Sequence, residues 1–173
     1  DYSGQALHRG SKLVIAARGP KRRELPVAVP SGLRLSGEFG DPRVCLPGVL
    51  AVRGPAYRAG SDGYDAAVEQ WATQLSAADP LCAFPWVVVC DDSEFCARNL
   101  DNFLWVTFTR VNPAVDVHGV GSAVRHKHWG ATGALVIDAR RKPGHAPALE
   151  PDARVSARVD ALAARGGPMY GIL

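Results

Sequence analysis

Polar and apolar positions change period several times along the 173 residues, and the clearest change falls between Phe84 and Arg110. Trp86-Val87-Val88-Val89-Cys90 is an unbroken apolar, β-branched run with the length of a strand buried on both faces. Asp91, Asp92, Ser93 and Glu94 close it. Beyond them Leu100, Phe103, Leu104 and Phe108 recur at i, i+3, i+4 and i+8, the stripe of an amphipathic helix. Strand, polar turn and helix make half of a βαβ unit, in which chemistry collects beyond the carboxyl ends of the strands.

The same reading places the other elements. Residues 12–17 form a strand, and 21–25 a short helix with Pro20 in its first turn. Residues 31–42 are a glycine-rich loop. Strands at 43–46 and 49–52 flank Pro47-Gly48. Residues 64–77 are a helix with Tyr64, Ala67, Val68, Trp71 and Leu75 on one face and Asp62 as N-cap. Asp79-Pro80 stops it. A short strand falls at 116–120, and glycines at 119, 121, 130 and 133 surround His126-Lys127-His128-Trp129. Residues 134–137 are a second buried strand, ending in Asp138. Residues 140–151 are extended and proline-punctuated. A last helix at 152–165 carries a thin stripe of Val155, Val159 and Leu162 and stops at Gly166. This alternation predicts an α/β fold: a three-layer sheet with mainly parallel core strands and a C-terminal helical tail. The organisation it implies is a lead-in over 1–42, an α/β domain over 43–151, and a tail over 152–173 that could serve as a dimerisation element.

Composition narrows the class. With 47% hydrophobic and 21% charged residues the chain can bury a core, and no apolar run approaches the ~18 residues of a membrane span. A net charge of +3 is too small to argue for nucleic acid. Lys12, Arg18, Lys21, Arg22 and Arg23, with Arg140, Arg141 and Lys142, read as solvated surface charge. Neither nucleic acid nor membrane is expected as a partner. Cys45, Cys82, Cys90 and Cys96 lack paired metal spacing, and a thiol inside an apolar strand favours a reducing, cytoplasmic setting. A start at Asp1 rather than Met is expected of a fragment or processed product.

Three constellations bear on chemistry. Asp91, Asp92 and Glu94 at one strand end and Asp138 at another could bind a divalent cation, or cap helices. They look similar to the acidic sites of phospho-acceptor receiver domains. That pattern puts its acidic pair near the start of the domain, however, and only 35 residues follow Asp138. His126 and His128 share one side of an extended segment but have no third ligand at fixed spacing, so no metal site is expected. Gly10-Ser11-Lys12 lacks the spacing of a phosphate cradle, and no Gly-x-Ser-x-Gly elbow occurs.

Several runs together resemble the C-terminal domain of the UbiD family of prenylated-FMN-dependent decarboxylases. They are Phe84 to Val89 with Asp91-Asp92, then Asn102 to Trp105 leading into Thr107-Phe108-Thr109-Arg110, then Asn112-Pro113 with Asp116, then Leu135 to Ala139 with Lys142-Pro143. The match is best from Leu46 to Leu173. The resemblance implies a C-terminal domain or subunit of a (de)carboxylase acting on an aromatic or α,β-unsaturated carboxylic acid. It would close over a prenylated FMN and divalent metal held by a separate split-barrel domain, in a homo-oligomer whose C-terminal tail packs on a neighbour. No position matches that domain's catalytic, cofactor or metal motifs. None is assigned, and the isolated chain is expected to be inactive. Candidate substrate-pocket residues are Phe108, Arg110, His126, His128 and Trp129. Arg110 would meet a carboxylate or make a structural ion pair with Asp116. The alternative function is a non-catalytic assembly or regulatory domain that dimerises through its last helix.

Overall fold

The computed structural model describes residues 18–21, 23–61, 63–145 and 152–172. The strand expected at 12–17, Gly10-Ser11-Lys12 and the Asp62 cap lie outside these residues.

A five-stranded sheet forms the centre. Its strands are β1 (Gly40–Leu46), β2 (Val49–Arg53), β3 (Trp86–Cys90), β4 (Val117–Gly119) and β7 (Leu135–Asp138), in the order β1-β2-β3-β7-β4. Parallel ladders join β2 to β3 and β3 to β7, whereas β1 and β4 pair antiparallel at the two edges. The sheet as a whole is therefore mixed rather than mainly parallel. The β1 edge follows from Pro47-Gly48: the proline fixes its own φ, and Gly48 at φ +78 completes a two-residue turn too tight for a crossover.

Alternation along the central strands serves both faces. Leu50, Val52, Val87, Val89 and Val136 pack with Val68 and Trp71 of α1 (Ala67–Gln74) and with Leu81 and Phe84. On the other face Val49, Ala51, Val88 and Cys90 pack with Cys96 of α2 (Ser93–Ala97) and with Phe103 and Val106 of α3 (Leu100–Arg110). Each such Val or Leu, taken wholly out of water, contributes about 1.5–3 kcal/mol.

The helices depart from expectation in instructive ways. Residues 21 and 23–25 are not helical. α1 is shorter than 64–77, and the 3-10 turn Pro80–Ala83 that follows is capped by the Asp79 carboxylate on the Leu81 amide. The helix after β3 is broken in two, because Asn99 turns extended and its side chain caps α3 at the Asn102 amide. Of the predicted stripe only Phe103 is buried. Leu100, Leu104 and Phe108 are exposed, and α3 buries Val106 and Thr107 beside Phe103.

The glycine-rich segment forms an arm. β5 (Ser122–Arg125) and β6 (His128–Ala131) pair in register Ser122↔Ala131 to Arg125↔His128, continuing the β4–β7 ladder through Val120 and Ala134. The last helix, α4 (Ala153–Ala163), starts at the Asp152 cap and buries none of its residues. No helix among the described residues is long and apolar enough to cross a membrane.

Candidate functional site

The carboxyl ends of β3 and β7 carry a cluster of charges that the sequence disguises. Asp138 ends β7 and is 1% exposed, and two residues on, Arg140 is fully buried. An i, i+2 spacing on an extended chain puts both side chains on one side. Arg140 grips Asp138 with Nε to Oδ1 at 2.9 Å and Nη2 to Oδ2 at 2.8 Å. Its Nη1 donates to Asp65 Oδ2 and to the Pro55 carbonyl, both at 3.1 Å. The Tyr57 ring covers the guanidinium at 5.3 Å. Burial opposes the charge on Arg140, but hydrogen bonds and attraction from Asp138 and Asp65 outweigh it and raise its pKa. Burial likewise pushes Asp65 up, yet the amides of Arg58 and Ala67 and the Arg140 charge hold it below the usual carboxylate range.

A second cation ties the neighbouring segments. Lys142 Nζ donates to the carbonyls of Asp138 at 2.7 Å and Arg110 at 3.2 Å and pairs with Asp116 Oδ2 at 3.3 Å. Asp116 is buried, accepts from the Asn112 amide at 2.6 Å, and keeps Oδ1 without a hydrogen-bond partner. Arg140 and Lys142 are thus internal, not the solvated surface charge that their basic run suggests. Above them Tyr64 Oη lies 3.4 Å from His118 Nε2. Burial lowers the His118 pKa, and burial with nearby Glu69 pushes Tyr64 up to about 12.

The candidates named from sequence do not converge. Arg110 ends α3 and pairs with Asp91, not Asp116, at 2.8 Å, while its guanidinium lies 5.6 Å from the Trp105 ring. Asp91 also accepts from the Arg141 amide, and Asp92 caps α2. Phe108 is 66% exposed on α3, its ring edge-on to Trp86. His126, His128 and Trp129 lie on the β5–β6 arm. That arm extends from the end of the sheet where Gly119, Leu135 and Trp86 are aligned, opposite to Asp91 and Asp138. His126 and Lys127 make the turn with φ of 48 and 67, and all of 122–130 is exposed. Trp129 folds back on Gly119, where an added Cβ would lie 3.1 Å from the indole.

A cleft of about 390 Å3 opens at the carboxyl end of β2, between Gly37-Glu38-Phe39 and Arg53-Gly54-Pro55 with Ala56 and Arg58. It borders the buried cluster: a Cβ on Gly54 would meet Val89 at 2.5 Å and the Arg140 side chain at 3.1 Å. The sequence does not announce this cleft, because its residues come from two loops without a shared period. A signal for Arg140 does exist, as an Asp-x-Arg continuing a buried strand. Among the described residues no three His, Cys, Asp or Glu side chains converge as a metal-holding group. The UbiD resemblance places its divalent ion in a separate domain and assigns it no residue of this chain.

Known proteins bear on this geometry. No protein-family model matches the chain. It is 26% identical over 160 residues to a 4-hydroxybenzoate decarboxylase subunit of Chlamydia pneumoniae, covering 92% of this chain and 25% of that protein. It is 29% identical over 152 residues to an uncharacterized protein of Chlamydia caviae, covering 88% of this chain and 24% of the relative. The chain thus spans about a quarter of the length of the curated relatives it matches. Among solved structures, vanillic acid decarboxylase of Sedimentibacter hydroxybenzoicus in an open form overlaps loosely, at TM-score 0.43 and 19% identity. The overlap covers 67% of this chain and 26% of that one. By sequence the chain is thus similar to one decarboxylase subunit and to an uncharacterized protein.

Proposed function

We propose that this chain is a domain or subunit of a UbiD-like decarboxylase acting on an aromatic or α,β-unsaturated carboxylic acid. It would close over a prenylated FMN held by a separate split-barrel domain. The observation that carries this reading is the match to a 4-hydroxybenzoate decarboxylase subunit along 92% of the chain. The residues of the UbiD resemblance also sit together: Arg110 with Asp91, Asn112 with Asp116, and Lys142 joining Asp116, Asp138 and the end of α3. Their roles are to fix strand ends against a helix.

Loss of CO2 leaves negative charge that the flavin would delocalise. What remains for this chain is to orient the acid and exclude water. The exposed face of α3 suits the second task. Leu100, Leu104, Trp105 and Phe108 give it a broad apolar surface, and Arg110, though one of the pocket candidates, is held by Asp91. His126, His128 and Trp129 on the arm would approach the same acid only if another domain brought it to the opposite end of the sheet.

The test is reconstitution. The chain is mixed with the remaining three quarters of the Chlamydia pneumoniae relative, loaded with prenylated FMN, and CO2 release from 4-hydroxybenzoate is measured. Neither part alone should release CO2, and the mixture should. A mixture that stays inactive while the intact relative turns over would overturn the reading.

One observation favours the alternative, an assembly or regulatory domain that dimerises through its last helix. α4 buries nothing and exposes Val155, Val159 and Leu162 in line. Native mass spectrometry of the chain and of V159D/L162D decides it. A flavin-free dimer lost in the variant supports the assembly role, and a monomer removes it.

A further inference from the structure

Three of the four cysteines meet on the α2–α3 face of the sheet, and the function proposed above uses none of them. Cys90 ends β3 and Cys96 lies in α2, both fully buried, while Cys45 on β1 is partly exposed at the margin of the same packing cluster. A separate bond ties β1 to α2: the Ser93 hydroxyl donates to the Asp41 carbonyl. The Cys45 thiol is hydrogen-bonded to that of Cys96, and Cys96 in turn to Cys90. Cys90 has a further acceptor in the Val52 carbonyl, at 3.7 Å.

This arrangement suits one use of thiols more than another. A metal needs three donors aimed at one point, and no such group exists among the described residues. The sulfurs form a chain instead, with Cys96 linked to both others and Cys45 open to solvent. We propose that Cys45 and Cys96 close into a reversible disulfide, by exchange with a low-molecular-weight disulfide, and so staple the edge strand β1 to α2. The Cys45 thiolate attacks the reagent and releases one half of it as a thiol. The Cys96 thiolate then attacks the Cys45 sulfur of the mixed disulfide and releases the other half. The protein gains one S–S bond and the reagent loses one, and two electrons and two protons leave on two small thiols. Contact with Cys96 and burial push the Cys45 pKa well above that of a free thiol. Cys45 draws Cys96 down, but Cys90 and burial prevail and carry it up to about 12. Exchange is therefore slow at neutral pH and quickens in base, while its end point is set by how closely the two thiols are already held. None of this depends on the decarboxylase reading.

The test uses the whole chain carrying C82S, which leaves these three as its thiols. Incubation with oxidised glutathione at about pH 9, an acid quench and mass spectrometry should give a product lighter by two hydrogens. Its digest should join the peptides of Cys45 and Cys96. Adding C96S should stop the reaction at a mixed disulfide on Cys45, adding C45S should slow any reaction at least tenfold, and adding C90S should leave the bond forming. In urea, where nothing holds the two thiols together, its yield should drop at least tenfold. The closed chain should melt at a higher temperature than the reduced one, and dithiothreitol should restore the lower midpoint. A lasting mixed disulfide on Cys45 beside a free Cys96, a bond from Cys96 to Cys90, or an equal yield in urea would each overturn the proposal. A closed chain that melts no higher would remove the staple.

Discussion

Two regions of this molecule hold most of its notable side chains, and they treat them in opposite ways. At the carboxyl ends of β3 and β7, Arg140, Asp138, Asp65, Lys142 and Asp116 are buried or nearly so, and each cation is matched to carboxylates and carbonyls. On α3 and the β5–β6 arm, Leu104, Trp105, Phe108, Val124 and Trp129 are 42–68% exposed, with His126 and His128 beside them. The first region has spent its bonding capacity inside the domain. The second keeps it. Of the residues that carry the resemblance, Asp116, Asp138 and Lys142 fall in the first region and Asn102 to Arg110 in the second, so the charged part of it reports how strand ends are tied down.

The sharpest way to break this contrast is at Arg140. Arg140→Met leaves Asp65 buried without a cation and Asp138 with only Lys142 at 3.9 Å, and removing one member of a buried ion cluster costs about 3–5 kcal/mol. Urea unfolding should show that loss, and the triple change R140M/D138L/D65N, which keeps an acceptor for the Arg58 and Ala67 amides, should recover part of it. A single variant as stable as the parent would sink the description of this region as closed. Lys142→Met should cost less, about 1–3 kcal/mol, because it strips donors from two carbonyls and from the already under-bonded Asp116. The same urea midpoints measure it, and the effect should not change with added salt.

How much of this is legible in the chain follows from the physics of each element. β3 is readable because a strand buried on both faces needs an unbroken apolar run, and β7 is readable from the same kind of run although Leu135 is exposed. The α2–α3 break is not, because Asn99 as a cap resembles any polar residue until the helix around it is known. The stripe on α3 is split: Phe103 is buried while Leu100, Leu104 and Phe108 are exposed, because periodicity identifies a face without saying what covers it. Arg140 and Lys142 read as solvated because most basic runs are. The near partner Asp138 hints otherwise for Arg140, and the distant partners Asp65 and Asp116 complete the reversal. The arm reads as a glycine-rich loop because His126-Lys127 lacks the Asn-Gly signal of a tight hairpin turn.

A pH titration sharpens the boundary between the regions at His118. Burial lowers its pKa, Lys142 pushes the same way, and Glu69, Asp138 and Asp116 push back without prevailing. Its folded value therefore lies below the unfolded one of about 6.5. Between the two the unfolded chain binds more protons, so stability is full above about 6.5 and declines as pH falls toward the folded value. Thermal midpoints from pH 7.5 to 5 should fall, and H118Q should flatten that slope. Asp65 acts in a lower window: its depressed pKa gives stability above about 3.9 that is lost as acid protonates it. An H118Q slope equal to the parent's would assign the neutral-pH loss to another group.

The smallest effect belongs to the arm, and it discriminates most finely. His126 and Lys127 both hold left-handed backbone, at φ 48 and 67, which costs a non-glycine residue roughly 1–2 kcal/mol. Asn-Gly fits such a two-residue turn without that cost, so H126N/K127G should hold the arm closed more of the time. The arm buries little against the core, hence the global thermal midpoint should barely move. The gain should appear locally, as about tenfold slower hydrogen exchange at the paired amides of β5 and β6. If the reconstituted enzyme then keeps full activity, the left-handed histidine serves no purpose in the arm and the contrast between closed and open regions loses its strongest outlier. If activity falls while protection rises, the strain at His126 belongs to the function.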